Sequence, residues 1–438
     1  MQIAQTRDRL YEFINGEGEQ DVCDEIPESA CSLIPKNFTL NAINGLGTKL
    51  ADQLASPGLV LAWFMDALGI PVSMIGYLNP VRRAAALLPQ LFVSGQIRQM
   101  PVRKWFWVAG GAVFGLALLL MVPAAVLLPA FAAGIGIMVL LAAGSIGRGF
   151  SSVAYKEVLA KTIPQGSRGR LLAVRATAGG LLALLAGIFI KTQVGAGKSI
   201  MPYLLLIAAA GGLWMISLVP VVLVEEHPGA TAGARDPFEE TRSGIKLFKQ
   251  HAGYRSYIFT RGILVSVELS LPFYALYVRQ ATGGGTGELG IFIIAASLSQ
   301  LLSSPFWGLL SDRTSRWTLM LSALLAGLAG VFILLVNRIP IIADNPYVLA
   351  LPVIIIGFAI AGVRLGRNVY LVDAAPADDR ALYVALSNTI AGGLILLGGG
   401  LGFIADSFGI QILIGVLAAL AFTGAISSWL LPEAQQMT

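Results

Sequence analysis

Asp52, Arg82, Arg83, Arg148, Glu268 and Arg364 are ionisable side chains embedded in long apolar runs. Such placement is costly unless the group faces water or a partner, so these residues are the first candidates for chemistry. Asn41, Asn44, Thr48, Asp52 and Ser56 recur at intervals of three and four, which sets them on one helical face. That face reads either as a cavity wall with Asp52 as a proton or cation site, or as a static hydrogen-bonded network. Lys49 lies one turn before Asp52 and is placed to neutralise it. Arg82 and Arg83 share a run with Asn79, Gln90 and Ser94. They suit an anionic substrate group, or a bridge to Asp52. Glu268 precedes Pro272 much as Asp52 precedes Pro57, so an acid recurs at similar places in the two halves. Burial raises a carboxyl group's proton affinity and suits it to proton cycling, whereas pairing with Arg261 would make Glu268 structural. Arg148, Arg364 and Arg367, with Tyr155, Tyr370 and Asp373, fit a structural or gating role. Trp63, Phe64, Phe273 and Tyr274 are expected mainly in helix packing or lipid contact.

These residues need an apolar scaffold, and the composition supplies one. The chain has 438 residues, 56% apolar and 13% charged. Soluble domains carry about 25% charged residues. A soluble chain this poor in charge would aggregate, so the composition predicts an all-α polytopic membrane protein. Continuous rather than alternating apolar runs exclude a β-barrel. Twelve transmembrane helices are expected near 38–66, 71–98, 104–127, 129–157, 168–190, 201–224, 255–280, 286–310, 316–338, 346–374, 380–404 and 409–431. They form an N-terminal six-helix bundle (38–224) and a C-terminal one (255–431). A linker with a surface helix (225–254) joins them, and an acidic tail (1–37) and a short C-terminal tail (432–438) flank them. No cleavable signal peptide is expected, since residues 1–37 lack an apolar core. Arg103, Lys104, Lys161, Arg168, Arg170, Arg235 and Arg313 fall between spans on one side, which predicts cytoplasmic termini.

Several functions are disfavoured. The net charge of +5 comes largely from these basic loops, so it indicates orientation and not nucleic acid. No Walker A motif or nucleophile elbow is present, and His227 and His251 both lie in the linker. No enzyme, cofactor or metal site is expected. Cys23 and Cys31, both in the tail, read as free thiols.

A shift of 213 residues aligns the halves. Ala178-Gly179-Gly180-Leu181 lands on Ala391-Gly392-Gly393-Leu394, Gly187 on Gly400, Gly95 on Gly308, and Arg103 on Arg316. Parallel repeats of this kind place a substrate site between them near mid-membrane.

Gly308-Leu309-Leu310-Ser311-Asp312-Arg313-Thr314-Ser315-Arg316 resembles the loop signature of the major facilitator superfamily, Gly-x-x-x-Asp-Arg-x-x-Arg. The equivalent segment Gly95 to Arg103 keeps the glycine and last arginine but has Gln99 in place of the acid. The resemblance covers roughly residues 38–431. It implies alternating access, with Gly95, Arg103, Gly308, Asp312, Arg313 and Arg316 as cytoplasmic gate candidates. It also likens Arg148 to an arginine that the family associates with proton coupling. The glutamine of that pattern is missing, and so is the proline of the antiporter signature. The expected function is secondary transport of a small molecule, with H+ as coupling ion and efflux of an amphipathic compound as the leading direction. Asn41, Asn44, Thr48, Asp52, Arg82, Arg83, Arg148, Glu268 and Arg364 are the substrate and coupling candidates. Uptake of a metabolite or lipid, or a non-transporting receptor, are the alternatives. A monomer in the bacterial inner membrane is expected.

Overall fold

A computed structural model describes residues 33–87, 100–193, 199–228, 248, 251–283, 285–336, 338–374 and 380–433. The acidic tail with both cysteines, Gly95, and most of the linker lie outside the described residues.

The elements are helices throughout. The N-terminal set is α1 (Ile34–Leu54), α2 (Val60–Ala67), α3 (Val72–Gly76), α4 (78–87), α5 (Lys104–Leu127), α6 (Ala130–Thr162), α7 (Gln165–Gln193), α8 (Met201–Ile216) and α9 (Leu218–Leu223). The C-terminal set is α10 (Ala252–Leu269), α11 (Leu271–Thr282), α12 (Thr286–Arg313), α13 (Ser315–Val336), α14 (Pro346–Ala374), α15 (Arg380–Gly398), α16 (Gly402–Phe408) and α17 (Ile410–Trp429). Ten helical stretches among the described residues are long and apolar enough to cross a membrane. Leucine, isoleucine and phenylalanine side chains such as Phe131, Leu205, Phe259 and Leu397 remain exposed on the outside. In lipid that surface needs no cover, and a helix satisfies its interior backbone groups within itself.

The expected first span is not continuous. α1 stops at Leu54 and α2 starts at Val60, with Pro57 between them. Proline removes a ladder donor and clashes with the preceding turn, so the helix breaks there. Ser270-Leu271-Pro272 breaks the seventh span between α10 and α11. The two expected acids therefore sit just ahead of two equivalent breaks. The eleventh span loosens at Gly398–Leu401, where Gly399 and Gly400 face the ring of Tyr77 and the Gly399 carbonyl lies against Gly76.

Close packing inside each set uses glycine. A Cβ on Gly110 would lie 2.3 Å from the Gly147 carbonyl oxygen, so α5 and α6 meet backbone to backbone. The two sets meet along α7 and α12, where a Cβ on Gly290 would stand 2.5 Å from the Lys191 amide nitrogen. They also meet where α3 crosses α16 and where α2 crosses α11. Small residues allow such approach where no apolar gain favours helix association.

Candidate functional site

A cavity of about 610 Å³ lies between the two sets of helices. This volume is within the ordinary range for small-molecule sites. α1 supplies Lys49, Asp52 and Gln53; α4 supplies Arg82 and Arg83; α6 supplies Arg148. From the other set, α10 gives Arg261 and Glu268, α14 gives Arg364, Arg367 and Asn368, and α15 gives Asn388. Apolar walls come from Leu59, Leu87, Leu271, Val353, Ile360 and Ile395.

Two carboxylates organise the charges. Arg148 grips Asp52 with both terminal nitrogens, Nη2 at 2.6 Å from Oδ2, while Arg82 donates at 2.8 Å. Arg148 is held in turn over the rings of Phe114 and Trp214, at 5.3 and 5.1 Å. Lys49, expected to neutralise Asp52, instead lines the cavity and makes no ion pair or hydrogen bond among the described residues. The Glu268 side chain is 1% exposed. Arg367 donates to it at 2.7 Å, and Arg83 pairs with it across the boundary between the two sets. Arg261, the expected partner of Glu268, instead donates to Ser387 and, at 2.9 Å, to Asn388. Arg364 stands 3.9 Å from Glu268 and its side chain is 51% exposed.

The expected polar stripe on α1 divides. Lys49, Asp52, Gln53 and Ser56 line the cavity. Asn41 and Asn44 are buried one to three turns away, where both accept from Arg175 and Asn44 donates to the Ser217 carbonyl at 2.7 Å. Thr48 returns its hydroxyl to the Asn44 carbonyl. Asn41 and Asn44 tie α1 to α7 and to the α8–α9 junction, Thr48 bonds within α1, and none of the three lines the cavity. Arg175, stacked over Tyr155 at 4.6 Å, was not singled out from sequence, because an arginine near a span end looks solvated. Trp63, Phe64, Phe273 and Tyr274 are buried, as expected of packing residues.

At one end of the cavity the links run between the sets. Asp66 of α2 pairs with Arg279 of α11, and these positions are 213 residues apart, the repeat shift itself. Trp63 donates its indole N–H to the Ala275 carbonyl at 2.8 Å. The Asp406 carboxylate of α16 accepts from the Val72 and Ser73 amides at 3.0 and 2.8 Å, at the start of α3. Lys191 donates to the Tyr347 hydroxyl at 2.6 Å. None of Asp66, Arg279 and Asp406 was a sequence candidate. Asp66 and Arg279 carried a signal, since the repeat places them at equivalent positions.

At the other end, the ion pairs among the described residues stay within one set. They are Lys36–Glu225, Arg103–Glu157, Lys161–Glu226 and Arg316–Glu433. The gate candidates lie here. Arg316 also donates to the Leu431 carbonyl at 3.1 Å. Arg313 is exposed. Asp312 belongs to α12, but its side chain is outside the described residues. A Cβ on Gly308 would meet nothing within 4 Å among the described residues, so no helix packs closely on this gate candidate in this arrangement. The acid that Gln99 replaces has a local substitute. Glu226 accepts from the Arg103 and Lys104 amides at 2.8 and 2.7 Å, capping the start of α5, and from Lys161 at 2.7 Å. A carboxylate is favoured at a helix N-terminus by the unpaired amides and the helix dipole. Glu226→Ala is expected to lower stability by about 1–2 kcal/mol, the scale of a lost cap. Thermal unfolding of the purified protein checks this, and an unchanged midpoint would refute the capping role. Nearby, the Lys36 ammonium holds the exposed Glu225 carboxyl below its usual range. That pair contributes above the ordinary carboxylate pKa and is lost as pH falls through the depressed one.

Residues 256–436 match the family model described as Major Facilitator Superfamily. The whole helical arrangement matches the crystal structure of a D-xylose-proton symporter with a TM-score of 0.67 at 15% identity, over 91% of this chain and 98% of that one. The C-terminal set of helices thus matches the major facilitator superfamily, and the chain shares the fold of that symporter. Among curated relatives of this chain, an uncharacterized protein of Mycobacterium tuberculosis, Rv2209, is 26% identical over 201 residues. That match covers 44% of this chain and 38% of the relative. The quinolone resistance protein NorA of Staphylococcus aureus is 27% identical over 141 residues, covering 32% of this chain and 34% of NorA.

Proposed function

We propose that this protein is a secondary active transporter of a small molecule that works by alternating access. The observation that carries the reading is the charged cavity between two sets of helices, joined across only one end among the described residues. Residues 38–224 and 255–431 are the two rocking halves, and 225–254 is the tether. The basic residues between spans place both termini in the cytoplasm. In that orientation the linked end is the outer gate, closed, and the cavity faces inward. The Mycobacterium and Staphylococcus relatives support a bacterial cytoplasmic membrane as its site.

The coupling ion in this reading is H+. Asp52 and Glu268 are the cavity's two carboxylates, each tied to arginines from different helices, so protonating either one releases a guanidinium. The likeness to NorA favours efflux, and the mixed apolar and charged walls favour an amphipathic compound.

The test is substrate-induced proton movement in liposomes holding the purified protein and an internal pH dye. The panel spans amphipathic ions of both signs, sugars and amino acids. Wild type is expected to move protons with one class, and Asp52→Asn to reduce that movement to background while staying folded in the membrane. Wild-type proton flux in both Asp52→Asn and Glu268→Gln would remove the coupling assignment. Tight substrate binding without any flux would favour a receptor.

A further inference from the structure

We infer that the polar end of the transported compound is an anion, a carboxylate, sulfonate or phosphate, seated between Lys49 and Arg364. This deepens the transport reading and rests on it. Among the described residues, seven cationic side chains line the cavity against two carboxylates. Arg82 and Arg148 are committed to Asp52, and Arg83 and Arg367 to Glu268. Three cations are left over. Among the described residues Lys49 has no ion pair, Arg261 donates to the neutral Ser387 and Asn388, and Arg364 reaches Glu268 only at 3.9 Å. Surplus positive charge in a confined, partly apolar cavity repels a cation and attracts an anion strongly, because screening by water is reduced.

A shared spacing shows why Arg364 is loosely held. Glu268 follows Asp52 by 216 residues and Arg364 follows Arg148 by the same 216, three residues beyond the 213-residue repeat shift. Arg148 grips Asp52 in the N-terminal set, so Arg364 is the residue that would grip Glu268 in the other. Arg83 and Arg367 have taken that carboxylate, leaving the Arg364 side chain half exposed to the cavity. Leu59, Leu271, Val353 and Ile360 would hold the compound's apolar body.

The test is equilibrium binding to the full-length protein in nanodiscs of zwitterionic lipid, which keeps anionic lipid headgroups out. Probes share one apolar body: naphthoate, naphthalenesulfonate and naphthyl phosphate, against naphthamide and naphthyltrimethylammonium. At least one anion is expected to bind about tenfold or more tighter than the amide, and the ammonium not at all. Lys49→Gln and Arg364→Gln should each cost the anion about tenfold and leave the amide unchanged. Arg364→Lys, which keeps the charge, should retain most of the affinity and controls for folding. Anion affinity alone should fall with added sodium chloride. Ammonium or amide binding as tight as the anions, no anion binding, or wild-type anion affinity in both glutamine variants would overturn the assignment. Binding needs no transport, so the two readings fail separately. An anion bound but never moved would sink transport and keep this site, whereas flux of the ammonium would keep transport and sink this site. An anionic lipid that displaces the probe and is itself held more tightly would overturn the small-molecule assignment.

Discussion

Glu268→Gln is expected to lower stability by about 3 kcal/mol, the low end of the range for removing one partner of a buried ion pair. The glutamate is 1% exposed, while Arg83 and Arg367 keep 17% and 18% of their side chains open to the cavity. Water can reach the stranded guanidiniums, which is why the full penalty is not expected. Glutamine retains the shape and one acceptor but not the charge, so the loss reports electrostatics rather than a void. The measurement is the thermal midpoint of the purified protein for wild type, Glu268→Gln, Arg83→Gln and the double variant. The double variant should be more stable than the sum of the single effects predicts, because each change removes the charge the other left unpaired. Additive losses would show that Arg83 and Glu268 do not act as a pair. A transport defect is expected as well, since Arg83 is the cavity's charged tie between the two sets of helices.

Asp66→Arg is expected to open the linked end. It sets a guanidinium against Arg279, which already lies beside the Trp63 ring at 5.9 Å. The change removes an attraction and adds a repulsion. Together these are worth about 1.5–3 kcal/mol, on the scale of a hydrogen bond to a charged group. That shifts the balance between facing states by about ten- to a hundredfold. Ser299 and Gln300 line the cavity, so a cysteine there reports which end admits water. With Cys23 and Cys31 replaced, labelling from the linked side should rise in Asp66→Arg. It should return toward wild type in the charge swap Asp66→Arg with Arg279→Asp. Unchanged labelling in the single variant would mean that Asp406 and Trp63 hold this end without the ion pair, and a rise with no recovery in the swap would mean that the opening does not report the pair.

Much of the scaffold was legible in the sequence. Composition alone required apolar helices, because 13% charge cannot solvate a chain of this length in water. Span positions followed from apolar runs: 346–374 was expected and Pro346–Ala374 is found. The break at Pro57 was not expected, although the proline was in view, because the run of apolar residues continues past it. Resemblance to the superfamily came from one loop, Gly308 to Arg316, and from the repeat. The model of that family matches the half that contains this loop.

For the site, residue type told more than spacing did. An ionisable side chain inside an apolar run must find water or a partner, so Asp52, Arg82, Arg83, Arg148, Glu268 and Arg364 could be nominated without coordinates, and all six line one cavity. Helical periodicity nominated Asn41 and Asn44 equally well, yet they face Arg175. A five-residue polar stripe spans four turns, and different turns of one helix meet different neighbours. Partner choice was the part that sequence could not settle. Lys49 is one turn from Asp52 and Arg261 two turns from Glu268, but a rigid helix holds such pairs at a fixed separation. Residues from other helices reach the carboxylates from the open side, as Arg148 and Arg83 do. The sequence by itself determined that this is a membrane-embedded, repeated helical chain with buried charges of both signs. Only the tertiary structure decided which charges cancel and which remain, because ion pairing depends on distances of a few ångströms between helices remote in the chain.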